Sequence, residues 1–450
     1  MAEPARSSDK SSPLATLQLR TAAWYGDRTV NLELPESWDV SVFTPTTGRV
    51  LTNAEMSERL DSPVGQRPIR ERCSETTRPL IIVDDLNRPT PVSRVLPLLV
   101  REFTDAGIPT RNITILIGPG THAPPTADAV VKKVGADLIH SCRVCVHDSN
   151  QDVVKVGRTS FGTPVLVSRE VVTSNFLVGV GGLYPNHTGG FGGGSKAALG
   201  ILGFRSIAAL HFGHESIGWG SHRRNDTFRR DLDEIARLIG LETGIFAVID
   251  ADRQIVDLAC GEIHLLYARF LASTKDAFRA PRPDPGVRIV ISNAYPSDLS
   301  LTFVRMKGTV PLAFAPNGAS RIVVASCNEG LGFHGLFPFM NAPRFHRQRM
   351  LRRRIAANLN KPRRLVEKGA TRLLRVPTRG RRGQRSVASE HPTWLYCPSP
   401  EALATLPPEI PGFRMTSSWS EIVAGVTGEQ NDDSPLRTFV YAAAPLQWLD

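Results

Sequence analysis

The stretch RPLIIVDDLNRPTPVSRVLPLLVREFTDAGIPTRNITILIGPGTHAPPT, residues 78–126, decides the fold of this chain. It begins with an apolar run that ends in two aspartates, and it continues with apolar residues at helical spacing that stop at Gly107. A second apolar run then leads into a glycine turn. Strands that alternate with helices in this way predict an α/β fold with mostly parallel sheets.

The same alternation continues along the rest of the chain. Further strands are predicted in PVLVSREVVTSNFLVGVGG (164–182), VRIVISNAYPSD (287–298) and SRIVVASCNEGLGFHG (320–335). The segment NDTFRRDLDEIARLIG predicts a capped amphipathic helix that ends at Gly240. Because 450 residues are enough for more than one core, we predict an N-terminal α/β domain over residues 16–280 and a C-terminal one over residues 281–450.

The composition is that of an ordinary globular protein, with 41% hydrophobic and 22% charged residues. No apolar run approaches the roughly 18 residues that span a bilayer, so no membrane partner is expected. The start, MAEPARSSDKSSP, is polar and lacks an apolar signal core, which predicts a disordered tail over residues 1–15 and a cytoplasmic protein. Six cysteines in so long a chain indicate reduced thiols rather than a disulfide framework.

The net charge of +11 is concentrated in one segment. Residues 344–385 hold sixteen Lys and Arg against the single acid Glu367, so the rest of the chain is mildly acidic. We expect a solvated helix and loop there, and contact with a polyanion or an acidic partner is the alternative. Aromatic residues that could stack on bases are missing from most of this segment, which argues against a nucleic-acid partner.

Unusual polar residues cluster where the predicted strands end. Ligands of parallel α/β sheets bind beyond the carboxyl ends of the strands. Asp85 and Arg88 form the element D-x-x-R after the first strand, and a carboxylate beside a guanidinium can hold an imidazole or a substrate carboxylate. A buried salt bridge that caps the loop is the alternative reading. His122, His187 and Lys196 follow other strands and complete this cluster.

The segment PNHTGGFGGGSKAALGILGF, residues 185–204, is rich in glycine around one histidine and one lysine. So many glycines indicate a backbone that turns sharply or approaches a ligand closely. A phosphate-binding P-loop is excluded by the spacing, because Lys196 is followed by alanine instead of Ser or Thr. An ordinary anion-binding lysine remains an alternative. The turn GPGTHA, residues 118–123, matches a dinucleotide fingerprint weakly, and a simple strand-to-helix turn explains it equally well.

Two other elements carry weaker signals. Cys142 and Cys145 form C-x-x-C with His147 nearby, but a structural zinc site needs a second ligand pair, so we expect a buried thiol pair. His334 lies in the glycine-rich loop GLGFHG and is a further candidate to face a cleft, although its sequence context assigns it no role.

Taken in chain order, these elements resemble the nickel-pincer lactate racemase family from about Tyr25 to the C-terminus. The matching motifs are YGDRTVNLELPESWDV, DDLNRPTP, IGPGTHAPPT, HD followed by GRTSFGTPVLV, YPNHTGGFGGGSKAALGILG, NDTFRRDLDEIA, YPSDLSLTFVRMKG and CNEGLG. The resemblance implies two α/β domains with the active site in the cleft between them. It also implies an isomerase that racemises or epimerises a small-molecule 2-hydroxy acid.

The resemblance further implies a cofactor, a nickel-pincer pyridinium mononucleotide bound to Lys196 through a thioamide. Gly193 and Gly194 would let the backbone approach its ring and phosphate. A histidine shortly after the lysine would ligate nickel, and imidazole suits this metal. His211 is the expected ligand, with His214 as its rival. Proteins that make the cofactor are the implied partners.

In the same family two histidines act as general acid and base on opposite faces of the substrate, and here they would be His122 and His187. One takes the hydroxyl proton while hydride leaves the α-carbon for the cofactor; the keto acid rotates, and hydride returns to its other face. Imidazole fits this task because its pKa lies near the working pH. Arg88 and Lys307 would hold substrate oxygens, and Asp85 would orient a histidine or the substrate.

The chain also departs from the family pattern. Ser195 stands where proline usually precedes the lysine, and Val304 stands where the racemase has a glutamine near the substrate. Val304 would make the pocket less polar, which predicts a larger or less polar 2-hydroxy acid than lactate. Two alternative functions remain open: a 2-hydroxy acid oxidoreductase that releases the keto product, and an inactive family member that binds a ligand or partner.

Overall fold

The computed structural model describes residues 16–45, 48–222, 226–338, 340–341, 392–428 and 434–450. The predicted disordered tail and the Arg-rich segment 344–385 lie outside these residues. The described strands are β1 (Thr16–Thr21), β2 (Arg28–Glu33), β3 (Trp38–Phe43), β4 (Pro79–Asp84), β5 (Thr114–Gly118), β6 (Arg143–Val146), β7 (Val153–Arg158), β8 (Pro164–Ser168), β9 (Phe176–Gly182), β10 (Pro185–Asn186), β11 (Gly190–Phe191), β12 (Thr243–Ile249), β13 (Ile255–Glu262), β14 (Arg279–Ala280), β15 (Ile289–Asn293), β16 (Ser320–Val324), β17 (Thr393–Tyr396), β18 (Phe413–Thr416), β19 (Leu436–Tyr441) and β20 (Trp448–Leu449).

Helices connect most of these strands. The described α-helices are α1 (Asn53–Asp61), α2 (Ile69–Arg72), α3 (Leu96–Asp105), α4 (Ala127–Val134), α5 (Ala136–Ser141), α6 (Arg169–Thr173), α7 (Phe204–Gly213), α8 (Thr227–Ile239), α9 (Ile263–Thr274), α10 (Leu301–Phe303), α11 (Pro400–Ala404) and α12 (Trp419–Gly428). Tighter 3-10 turns lie at Val92–Arg94, Thr110–Asn112, Gly194–Ile201, Lys275–Phe278, Pro311–Phe314 and Ala444–Leu446, and a π-helical turn at Val304–Gly308.

The first sheet has six strands in the order β13-β12-β9-β4-β5-β6. Its members pair in parallel except for the edge strand β13, which pairs antiparallel with β12. In the register of β4 and β5, Asp84 lies opposite Gly118. The two loops that follow these strands therefore start side by side at the carboxyl edge of the sheet.

The predicted helix after the glycine cluster is present as α8. Asp226 caps its start by accepting hydrogen bonds from the backbone of Phe228 and Arg229. The helix ends where Gly240 adopts a left-handed conformation with φ +73°, a common way to end a helix. Its apolar face packs into the core around the first sheet.

The second sheet also has six strands, in the order β18-β17-β16-β15-β19-β3, and all of its described pairs are parallel. Its edge strand β3 comes from the start of the described chain, and Trp38 pairs with Leu436. The β1–β2 hairpin packs Leu17 and Leu32 into the core on one face of this sheet. Residues 16–43 thus associate with the second sheet, whereas the predicted boundary at residue 280 stays a prediction.

The predicted α/β class with mostly parallel sheets is confirmed by these two sheets. None of the six cysteines forms a disulfide. Within the residues that the structure describes, every helix is too short or too polar to cross a membrane.

Candidate active site

A cavity of about 420 Å³ lies at the carboxyl ends of the first sheet's central strands. Its wall is completed by residues that follow β15 and β16 of the second sheet. The predicted site residues in its lining are Asp85, Arg88, His122, His187, Gly193, Lys196, His211 and Lys307. Gly194 lies next to this lining without being part of it, and His214 is also outside it.

Asp85 and His122 meet where the loops after β4 and β5 begin. The Oδ2 atom of Asp85 lies 2.8 Å from Nδ1 of His122, and both side chains are buried. Burial disfavours the Asp85 carboxylate, but His122, Arg88 and Asn87 together outweigh this and hold the pKa of the carboxyl well below its usual range. Burial lowers the pKa of His122, and Asp85 offsets this only in part. A neutral His122 that donates Nδ1–H to Asp85 keeps Nε2 as its basic nitrogen.

Asn87 organises the same loop, although sequence reasoning did not single it out. Its side-chain amide donates to Asp85 Oδ2 at 2.6 Å. Its backbone carbonyl oxygen accepts hydrogen bonds from Lys307 Nζ at 3.0 Å and from Arg88 at 3.4 Å. Burial, reinforced by the positive charge of Arg88, holds the pKa of Lys307 well below its usual value. Two cationic side chains therefore converge on one loop, and an anionic ligand would relieve their repulsion.

Lys133, which is not part of the cavity lining, fixes this loop. Its buried ammonium lies 2.5 Å from Asp84 Oδ1 and donates to the carbonyl oxygens of Arg88 and Thr90 at 3.1 Å each. Removing one partner of such a buried ion pair is strongly destabilising. The loop that carries Asp85 is therefore held rigidly, and its anchor is a lysine on α4 whose role the sequence did not indicate.

Lys196 stands in the 3-10 turn that begins at Gly194. Gly194 has φ +63°, and a Cβ atom there would lie 2.9 Å from the ring of Tyr267, so this position requires glycine. The preceding glycine loop is held by Arg229, which donates to the carbonyl oxygens of Gly189 at 3.1 Å, Gly193 at 2.9 Å and Phe191. The turn is thereby fixed against α8 and α9.

Ser195 anchors the turn by its side chain. Its buried hydroxyl donates to Asp233 Oδ1 at 2.6 Å. Nδ1 of His264 lies 3.2 Å from the Ser195 hydroxyl oxygen and 3.2 Å from Asp233 Oδ1. The neighbouring Lys196 amine is enclosed, and burial together with the positive charge of Arg88 holds its pKa well below the usual value. The lowered pKa increases the fraction of uncharged amine, which is the nucleophilic form.

The two candidate nickel ligands differ in their surroundings. His211 donates Nδ1–H to the carbonyl oxygen of Ile207 at 2.8 Å, and it lines the cavity. Burial lowers the pKa of His211 to about 4. His214 instead has both ring nitrogens engaged, Nε2 with Asp231 at 2.7 Å and Nδ1 with Thr227 at 3.0 Å. Only His211 of this pair keeps a nitrogen for a ligand.

His187 lies at the cavity mouth beside Trp219, with 4.7 Å between the ring centroids. Its Nε2–H donates to the carbonyl oxygen of Met306 at 2.7 Å, which leaves Nδ1 unprotonated in the neutral ring. Desolvation lowers the pKa of His187, the hydrogen bond to Met306 opposes this in part, and the positive charge of Lys307 adds to the lowering.

The expectation that Val304 shapes the pocket is wrong. Val304 is fully buried in the core of the second sheet and is absent from the cavity lining. Phe303, the last residue of α10, and Lys307, in the π-helical turn, line the cavity instead. Phe303, Trp219 and His334 are lining residues without a role in the sequence-based prediction.

The lining fits a cofactor that brings its own metal donors. In the described part of the chain, no group of three or more His, Cys, Asp or Glu residues could hold a metal ion. His211 offers one free imidazole nitrogen, and Lys196 offers an amine of lowered pKa on the same cavity. A metal bound here would therefore take most of its ligands from a group attached near Lys196.

Proteins of similar sequence are known. Residues 25–221 match the family described as the lactate racemase N-terminal domain. The chain is 27% identical over 296 residues to a lactate racemase of Lactiplantibacillus plantarum, covering 64% of this chain and 69% of that protein. It is 26% identical over 329 residues to a lactate racemase of Thermoanaerobacterium thermosaccharolyticum, covering 70% and 76%.

The fold is shared with a solved structure, that of the lactate racemase apoprotein from Thermoanaerobacterium thermosaccharolyticum. The TM-score is 0.67 at 20% identity, and the match covers 97% of this chain and 100% of the other. The chain therefore shares the α/β fold of that structure. The sequence is therefore similar to lactate racemases, which are isomerases, and residues 25–221 match the N-terminal domain of that family.

Proposed function

We propose that this chain racemises or epimerises a small 2-hydroxy acid such as lactate, with a nickel-pincer pyridinium mononucleotide carried on Lys196. One observation carries the proposal: His122 and His187 line the same cavity, and each has one ring nitrogen fixed by a hydrogen bond while the other is available. Inversion at a carbinol carbon requires a proton acceptor and a proton donor for the hydroxyl group, and two such imidazoles can supply them.

His122 is suited to move the hydroxyl proton. Asp85 holds its Nδ1–H and thereby fixes the tautomer and the ring orientation, as a carboxylate does for a catalytic histidine. When Nε2 takes a proton from the substrate, the Asp85 carboxylate stabilises the resulting imidazolium. His187 can do the same through Nδ1, because Met306 holds its Nε2–H.

Arg88 and Lys307 would bind the substrate carboxylate. Both line the cavity beside Asp85, and Arg88 offers a planar fork that matches a carboxylate. Because burial holds the pKa of Lys307 down, the arrival of an anion would favour its protonated form.

Lys196 and His211 would hold the cofactor. The Lys196 amine, whose pKa burial lowers, would form the covalent link, and Nε2 of His211 is free to ligate nickel. When bound, the cofactor supplies the acceptor and donor of the hydride at the substrate α-carbon. Loading it requires proteins that synthesise the cofactor, and a cytoplasmic location, part of this proposal, suits six unpaired cysteines.

The proposal is tested on protein purified from a host that makes the cofactor, by intact mass, nickel content and a chiral assay with each lactate enantiomer. We expect added mass, about one nickel per chain and conversion of each enantiomer to the other. Lys196→Arg, which keeps a cation but cannot form the thioamide, should lose all three. An unmodified, nickel-free chain would favour a ligand-binding protein, and accumulation of the keto acid would favour an oxidoreductase.

A further inference from the structure

His334 is a third imidazole on the cavity wall, and it has no role in the proposed chemistry. It lies in the loop after β16, and only 8% of its surface is exposed. Its Nδ1 atom has no hydrogen-bond partner in the described part of the chain. Buried polar atoms are nearly always hydrogen-bonded, so an unpartnered one that faces a cavity indicates a missing ligand group.

The position of His334 is fixed against the catalytic loop. The backbone of His334 pairs with that of His122, and Gly335 N–H donates to the carbonyl oxygen of Thr121 at 2.6 Å. A Cβ atom at Gly335 would lie 2.9 Å from that carbonyl oxygen, so glycine is needed for this approach. The imidazole of His334 stands with its ring centroid 5.2 Å from that of His122. A substrate held by His122 is therefore within reach of His334.

The surroundings of His334 keep its ring uncharged. The rings of Phe303 and Phe337 lie 6.3 Å and 5.2 Å from it, centroid to centroid. Burial lowers the pKa of His334 to about 2, and the positive charges of His122 and Arg88 act in the same direction. A neutral imidazole offers one donor and one acceptor, which is what a hydroxyl group offers in return. A carboxylate only accepts, and Arg88 and Lys307 serve it better.

We propose that His334 is a specificity-determining residue that hydrogen-bonds a second hydroxyl group, at C3 of the substrate. Resting on the proposed function, this inference names the substrate class as 2,3-dihydroxy acids in preference to acids with an apolar side chain. It replaces the less polar substrate expected from Val304, because Val304 does not reach the cavity and His334 does.

Two substrates of equal size separate the hydroxyl contact from pocket volume. Glycerate and 2-hydroxybutanoate differ only in a hydroxyl against a methyl group at C3. Sites that hydrogen-bond a substrate hydroxyl reject the analogue that lacks it by large factors. With the nickel-loaded enzyme we expect kcat/KM for inversion of glycerate to exceed that of 2-hydroxybutanoate at least about tenfold.

Variants of His334 should then change this ratio. His334→Phe, which fills the space without a polar atom, should reduce the preference to about onefold, mainly through KM for glycerate. His334→Gln, which keeps a neutral donor and acceptor, should retain part of it. His140→Gln, at an exposed position on α5 outside the cavity, is the matched control and should keep the full ratio. Thermal unfolding and nickel content verify that each variant is folded and loaded.

The outcomes separate this inference from the proposed function. Inversion of lactate without a preference for glycerate would overturn the role of His334 and leave the racemase intact. A ratio unchanged in His334→Phe would overturn it as well, and so would a preference for dicarboxylic acids that His334→Phe abolishes. Lack of inversion with every 2-hydroxy acid by a nickel-loaded enzyme would overturn the proposed function itself.

Discussion

Asp85 accepts a hydrogen bond from Nδ1 of His122 at 2.8 Å, at a point where two parallel strands end side by side. The same carboxylate oxygen accepts a second hydrogen bond from Asn87 at 2.6 Å. The imidazole is therefore held in one tautomer by a carboxylate that is itself oriented. Because Asp85 acts on the imidazole of His122, its contribution to kcat can be measured apart from substrate binding.

We expect Asp85→Asn to lower kcat for inversion of lactate by roughly a hundredfold or more, because an amide does not stabilise the imidazolium and can impose the wrong tautomer. Initial rates from both enantiomers measure this, while nickel content should stay unchanged. Asp128→Asn, an exposed acid on α4, is the control. Equal kcat values for Asp85→Asn and the unsubstituted enzyme would contradict an orienting role.

The pH profile should be displaced towards acid. Desolvation lowers the pKa of both His122 and His187 from the usual 6.5. Inversion needs one neutral and one protonated imidazole, so activity falls as pH rises through the higher of the two pKa values and falls again below the lower one. We therefore expect kcat/KM to peak below about pH 6.5. A maximum above pH 7 would show that the pKa of the proton donor is not lowered in the working enzyme.

Substitution of His211 and of His214 should affect different properties, nickel content in the first case and stability in the second. His211→Ala should lose nickel, because it removes the free Nε2 on the cavity. His214→Ala should keep nickel but lower the free energy of unfolding by roughly 1–3 kcal/mol, since it leaves the buried Asp231 with a hydrogen bond lost. Elemental analysis of both variants measures nickel content, and urea unfolding measures stability. Loss of nickel from His214→Ala alone would show that His214, and not His211, is the nickel ligand.

Gly194→Ala tests whether the turn around Lys196 needs its left-handed backbone. The added Cβ would meet the Tyr267 ring at φ +63°, so we expect a loss of more than about 1 kcal/mol in stability together with poor cofactor loading. Gly213→Ala is the matched control, because no atom lies within 4 Å of the added Cβ there and φ is not positive. Unfolding curves and intact mass report the two effects. Wild-type stability and full loading of Gly194→Ala would show that the turn tolerates a side chain.

Much of the site could be predicted because it depends on local patterns. A buried strand that ends in DD-x-x-R, and another that ends in GPGTH, place Asp85 and His122 at one edge of a parallel sheet whatever the rest of the chain does. The glycine cluster likewise marked Lys196. These inferences need only the strand direction and the spacing of residues that are close in sequence.

The supports of the site could not be predicted, because they come from distant parts of the chain. Lys133 reaches Asp84 across 49 positions, and Asp233 reaches Ser195 across 38. Single-sequence patterns do not encode such contacts. Val304 was misjudged for a different reason: the expectation was taken from the family resemblance, whereas the packing of this chain places Val304 in the core and Phe303 and Lys307 on the cavity.

The pairing of β3 with β19 has a consequence for how the chain matures. Strand β3 leaves the ribosome long before its partner, residues 436–441. The strands of the first sheet, in contrast, all lie between residues 79 and 262 and can assemble while synthesis continues. Until β19 emerges, Trp38 and the leucines of the β1–β2 hairpin lack the sheet that buries them. Late pairing of β3 with β19 slows folding and leaves a strand edge exposed to aggregation. Nascent chains of this enzyme should therefore depend on chaperones more than those of a fold whose strands pair locally.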